Sequence, residues 1–265
     1  GRMEAHSDHI CYRSEEERED GETSFRCSLN GTWKFQYARN YESTIQGFEK
    51  EEYSCKDWED IYVPAHIQME GYDAPQYANV QYPWEGHEEV HPGQIPERFN
   101  PVASYVKYFS VPESMKGKRV FVSFQGAESG LALWLNGNFV GYSEDSFTPS
   151  EFELTEYLKD GENKLAAQVF KWTASSWCED QDFFRFSGIY RVYLYTVPEV
   201  HVYDLQIRAI PDETLKKASL ELATDTWGEG RIKITLLRKG EQIFSEEKAL
   251  SGKNTYPWEI ENPVL

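Results

Sequence analysis

From Leu29 onward, apolar and polar positions alternate along the chain. In "GTWKFQY", Trp33, Phe35 and Tyr37 fall on every second residue, which places them on one face of a half-buried strand. Similar β-rich runs follow at close spacing: "SYVKYFSV" from Ser104, "KRVFVSFQG" from Lys118, "NKLAAQVFKW" from Asn163 and "GIYRVYLYTV" from Gly188. "LALWLNGNFVGYS" sets Asn136-Gly137 between two apolar runs, a pattern that predicts a two-residue hairpin. "SEFELTEYL" ends in a one-turn helix or a strand edge. Short strands without long helical periods predict an all-β sandwich.

Near Pro198 the pattern restarts. "HVYDLQIRAIPD", "ASLELATDTW", "GRIKITLLRKG" and "EQIFSEEKAL" read as strands separated by polar turns, and "YPWEIENPVL" follows them. That is about five strands, where an immunoglobulin-type sandwich uses about seven. The second unit is therefore expected to be incomplete, with unpaired edges, exposed apolar rows and a tendency to self-associate. Two other stretches show no strand period. Residues 1–28 carry "RSEEEREDGETS" and read as an acidic arm, disordered or held only by contact. Residues 63–101 hold six of the 12 prolines and many aromatic residues. A connection this long is usually functional or disordered, and its rings argue against disorder. The predicted organisation is thus an arm over 1–28, a first sandwich over 29–197 and a second over 198–265.

Composition narrows the partners. The net charge of −18 repels phosphate backbones, so nucleic acid and anionic membranes are excluded as natural partners. Such acidity also serves solubility. Aromatic residues reach 15%, with 17 Tyr and 8 Trp, an excess that suits β-structure and recognition of ring-faced ligands such as sugars. No apolar run approaches the roughly 18 residues of a membrane helix. Cys11, Cys27, Cys55 and Cys178 form no CxxC pattern, which argues against zinc, and their spacing fixes no disulfide. One stretch poses a chemical question. "WCEDQDFFRFSGIYRVYLY" puts Glu179, Asp180 and Asp182 beside Phe183, Phe184 and Phe186. An unpaired charge is costly to bury, so these acids sit on a solvated turn or at least one is held in a pocket for a ligand.

Several stretches together resemble the amino-terminal part of bacterial β-galactosidases, glycoside hydrolase family two. They are "SLNGTWKF" (28–35), "QMEGYDAPQYANVQYP" (68–83), "LWLNGNFVGYSEDSFTPSEFEL" (133–154), "GENKLA" (161–166), "EDQDFFRFSGIYR" (179–191) and "ENPVL" (261–265), with "YRSEEERED" similar to the family's leading segment. The resemblance implies a jelly-roll (galactose-binding-like) sandwich, then an immunoglobulin-like sandwich, then a TIM barrel with two catalytic glutamates. This chain shows no barrel pattern of eight alternating strands and helices. Its catalytic pair is therefore expected to be absent, and the chain alone to be inactive.

The resemblance also places Asn79 and Asp182 in the galactose subsite. It gives Asp182 a further part in binding a sodium ion whose other ligands lie in the barrel. Sodium and magnesium are implied for the full-length enzyme, and no cofactor for this chain alone. A galactoside, the remaining domains of the same enzyme and a homo-oligomer are the implied partners, in the cytoplasm or periplasm of a bacterium. Read without the resemblance, Asn79 is equally a turn cap, and Asp182 a surface acid or a partner of Arg185 or Arg191. Glu179, Asp180, His66, His87 and His91 take no assigned role. Trp177, Phe183 and Phe184 either stack on a sugar or pack in a core. A stand-alone carbohydrate-binding module or lectin and a subunit-assembly element remain competing readings.

Overall fold

The computed structural model describes residues 2–77, 79–179 and 186–263. It divides into two units, one of residues 1–3 and 12–196, the other of residues 4–11 and 197–265. Strands dominate the regular structure of both, and among the described residues no helix is long and apolar enough to cross a membrane.

The larger unit packs two antiparallel sheets. One has six strands in the order Glu59–Val63, Gly31–Ala38, Val102–Ser110, Glu162–Phe170, Gly130–Leu135 and Asn138–Ser143. The other has four, in the order Arg26–Ser28, Val192–Thr196, Val120–Phe124 and Ser150–Glu153. Alternation in "GTWKFQY" sends Trp33 and Phe35 into the core between them, where Tyr105, Phe124, Leu133, Phe152, Val169 and Leu194 meet them. At the tip of the predicted hairpin, Asn136 and Gly137 both take positive φ (51° and 80°), as a tight hairpin turn on right-twisted strands requires. The Asn136 side chain also donates to Tyr157 O and Asn163 Oδ1 and accepts from the Lys164 N–H.

Two features depart from the simple pattern. Val102–Ser110 is buried along most of its length rather than on alternate residues. The cause is the segment 41–58, which covers the outer face of the six-stranded sheet: Phe48, Cys55 and Trp58 pack against Val106, Ala166 and Trp134. Within the acidic first 28 residues, Glu15–Asp20 forms a short helix. Ser14 caps its start by accepting from the Glu17 N–H, and Gly21 ends it in the left-handed conformation (φ 73°), the usual pairing of cap residues.

The smaller unit contains an antiparallel sheet of His201–Pro211, Lys217–Trp227 and Asn254–Glu261, and a separate ribbon of Glu229–Arg238 with Glu241–Ser251. These are the five strands read from its sequence. Residues 4–11 belong to this unit: the Ser7 N–H donates to Asp204 Oδ1 (2.7 Å), its Oγ accepts from the Leu205 N–H, and the His6 ring lies against Tyr203. Ile207, Ile210, Leu237 and Ile243 are exposed on its surface.

Candidate functional site

At one end of the larger sandwich, the 64–101 connection meets the segment that follows Glu162–Phe170. The junction is fixed by backbone and buried side chains. The Lys171 N–H donates to Pro101 O (2.9 Å). Asn100 brackets Trp172, donating from Nδ2 to its carbonyl and accepting its N–H at Oδ1, each at 2.9 Å. Lys171 Nζ lies 2.6 Å from Asp73 Oδ2, and the two side chains are 2% and 8% exposed. So little solvent leaves the pair only slightly screened, unlike a surface ion pair. Burial and then the Asp73 charge hold the neighbouring Tyr37 phenol well above its ordinary range.

The rings near this junction serve as its wall. Tyr82 stacks on Trp84 with centroids 5.1 Å apart and meets Trp177 at 4.6 Å. Its hydroxyl donates to Trp177 O (3.1 Å), and Trp177 Nε1 donates to Gln94 O (2.7 Å). Trp84 meets Trp172 edge-on. Trp177 also meets Trp84, with centroids 5.1 Å apart. A cleft of about 610 Å³ opens beside this wall, lined by Asp73, Trp84, Arg98, Phe99, Lys171 and Trp172 among others.

Asn79 sits in the turn just ahead of Tyr82 and is exposed. Its amide makes no hydrogen bond to another described residue. Asp182 lies outside the described residues, as do Asp180, Phe183, Phe184 and Arg185. The chain on either side of them is firmly held. Before them, Glu179 accepts from Ser146 Oγ (2.7 Å), and Glu144 accepts the Ser175 N–H (2.9 Å). After them, Phe186 is fully buried in the main core. Glu128 Oε2 accepts both the N–H and the hydroxyl of Ser187, at 2.9 and 2.5 Å. Gly188–Ile189 then pairs with Ala127–Glu128. Glu179 is thus a structural acceptor.

The structure therefore brings the Asn79 turn and the segment leading to Asp182 to one end of the sandwich, through Tyr82 and Trp177. Of His66, His87 and His91, none carries an assigned role. His91 is exposed, 3.9 Å from Glu89, and only His87 lines the cleft. Among the described residues, no three His, Cys, Asp or Glu side chains are placed to hold a metal ion. Sequence reading missed Asp73, Asn100, Glu128 and Lys171. Lys171 left one signal, a cation set between Phe170 and Trp172 at the end of the apolar run "LAAQVF". At the opposite end of the sandwich a larger cleft, about 820 Å³, is rimmed by Lys116, Lys118, Arg119 and Lys159. Those cations are already engaged, with Glu113, Ser114 O, Glu153 and Glu51 respectively, which leaves that cleft the poorer candidate.

Residues 26–198 match the model of the glycosyl hydrolases family 2, sugar binding domain. The chain belongs to glycosyl hydrolase family 2. Among curated family members, it is 54% identical over 222 residues to a β-galactosidase of Halalkalibacterium halodurans, covering 83% of this chain and 22% of that protein. It is 44% identical to a β-galactosidase of Streptococcus thermophilus (99% and 27%), and 39% identical to a β-galactosidase large subunit of Leuconostoc lactis (96% and 43%). The chain thus spans between about a fifth and two-fifths of the length of these relatives. A solved Bacteroides uniformis β-glucuronidase 2 superposes with a TM-score of 0.67 at 19% identity, over 91% of this chain and 28% of that one. At that identity the likeness is one of fold.

Proposed function

We propose that this chain is the part of a retaining β-galactosidase that presents sugar-binding loops to a catalytic barrel lying outside it. The observation that carries the reading is the meeting of the Asn79 turn with the segment leading to Asp182, in a chain whose family relatives are β-galactosidases. Galactose offers several hydroxyls, each both donor and acceptor. Asn79, an amide without a hydrogen bond to another described residue, can donate and accept at once. The Asp182 carboxylate accepts from hydroxyls, and charge-assisted bonds are the stronger kind. In retaining hydrolysis, one carboxylate attacks the anomeric carbon while a second gives and then takes a proton. Neither role falls to Asn79 or Asp182. They act on the ring hydroxyls, where bonds that tighten at the transition state raise kcat.

Two measurements test this. The purified chain is expected to give no turnover of a chromogenic galactoside, and calorimetry with galactose little heat. Saturable turnover, or a micromolar Kd that would indicate a lectin, counts against the proposal. In the full-length enzyme, Asp182→Ala is expected to lower kcat/KM by about tenfold to a hundredfold, the loss of one or two charged hydrogen bonds. Asn79→Ala is expected to cost less, because its bonds are neutral. An unchanged kcat/KM for both variants would reject the assignment.

A further inference from the structure

We infer that the buried Asp73–Lys171 ion pair is a positioning device that sets both sugar-binding loops from one point; the inference rests on the function proposed above. Asp73 lies six residues before Asn79 on the same connection, and Lys171 lies eleven before Asp182 on the other. Their side chains meet at 2.6 Å with almost no exposure. The surroundings hold the cation from several sides. Lys171 Nζ lies 5.1 Å from the Trp172 ring centroid and 5.7 Å from that of Phe99, close enough for cation–π attraction. Its backbone is fixed by Pro101 O on one side, and its carbonyl accepts from Ser129 Oγ on the other.

The pair is not needed to close the sandwich. The Val102–Ser110 and Glu162–Phe170 strands it adjoins are already joined along nine paired residues and packed on both faces. A buried pair of this kind adds little to net stability relative to an apolar pair, yet removing one partner leaves an uncompensated charge. What it does supply is a single geometry. Asp73 Oδ2 meets Lys171 Nζ at 2.6 Å, and the Tyr82–Trp177 bond ties the two connections together again further along. A site that must hold hydroxyl donors and acceptors within a fraction of an ångström needs such support behind its contact residues.

The test is local exchange against global stability. In this chain, Lys171→Met is expected to speed amide hydrogen exchange about tenfold or more in residues 72–84 and 172–179, while residues 102–110 and 162–170 keep their protection. Lys171→Arg, which keeps the charge over the same rings, is expected to restore most of the loop protection. A role in bulk stability alone would raise exchange across strands and loops together, and that result overturns the inference, as does unchanged exchange in both loops. Should Lys171→Met fail to fold, Asp73→Asn, which keeps shape and loses charge, is read in the same way. In the full-length enzyme, Lys171→Met is expected to lower kcat/KM by about tenfold to a hundredfold, with Lys171→Arg recovering most of it. The function proposed above is decided separately by Asn79→Ala and Asp182→Ala. If those two lower kcat/KM and Lys171→Met does not, only the positioning role is lost.

Discussion

Gly188→Ala is expected to destabilise the larger unit by about 2–5 kcal/mol, more than any other single methyl added to a glycine there. Two costs add. Gly188 has φ +79°, and an L-residue in that region costs about 1–2 kcal/mol. The new Cβ would also lie 2.2 Å from the Tyr105 hydroxyl and 2.9 Å from two Ile67 side-chain carbons. Neither neighbour can yield cheaply. Ile67 is fully buried, and Tyr105 is 1% exposed with its ring against Phe35 (4.9 Å) and Trp33 (6.3 Å). Overpacking of this kind costs about 1–3 kcal/mol. Gly161 supplies the control: its φ is +83°, but nothing lies within 4 Å of a Cβ built there. Gly161→Ala should therefore show the backbone cost alone, about 1–2 kcal/mol. Urea unfolding of the three proteins, followed on the larger unit, measures the difference. Equal midpoints for the two variants would mean that the core absorbs the methyl. Gly188 also follows the Ser187–Glu128 bonds that fix the chain after residue 186.

Much of this architecture was legible because strand periodicity is a local signal. Trp33 and Phe35 announce one buried face without reference to the rest of the chain, and Asn136-Gly137 announces its hairpin. The failures are non-local. Segment 41–58 has no period of its own, so nothing in it declares that Phe48 and Cys55 cover the outside of a sheet. The helix Glu15–Asp20 lies inside a run of acids that composition reads as unstructured, yet its caps, Ser14 and Gly21, are both plain in the sequence. Lys164 and Lys171 are the sharpest cases. Buried lysines are rare, so a reader assigns them to the surface, and only the partners brought by distant loops reverse that. The candidate site shows the same division. No spacing rule singles out Asn79 or Asp182; family resemblance does. Their support from Asp73, Asn100 and Glu128 depends on contacts between segments far apart in the chain.

Lys164→Met carries the second large effect, expected at about 3 kcal/mol. Lys164 is 4% exposed, and its ammonium donates to three backbone carbonyls of the covering segment: Phe48 O (2.5 Å), Lys50 O (2.8 Å) and Tyr53 O (2.6 Å). An ammonium has three donors and no acceptor, so this cage uses its full capacity. Methionine keeps an apolar stem of similar length but takes the ammonium from all three acceptors; Lys50 O keeps the Tyr53 N–H (3.2 Å), and Phe48 O only the weak Cys55 thiol donor (3.6 Å). The Phe48 carbonyl is buried, and exchanging its charged donor for a weak thiol alone there costs about 1–3 kcal/mol. The other two lie nearer solvent and recover part of their loss from water. Arginine is no substitute, because its planar fork spreads donors that three converging carbonyls need at one point. Lys164→Arg is therefore expected to destabilise as well, which separates the cage from a simple requirement for charge. The local readout is Cys55, a fully buried residue of that segment on its sheet-facing side, its thiol pushed up by burial against an opposing pull from Lys164. Peptide mapping after brief treatment with a thiol reagent should find Cys55 protected in the parent chain and labelled in Lys164→Met, as the covering segment lifts. A urea midpoint unchanged within error and a Cys55 still protected would show that the segment is held by Phe48 and Trp58 alone.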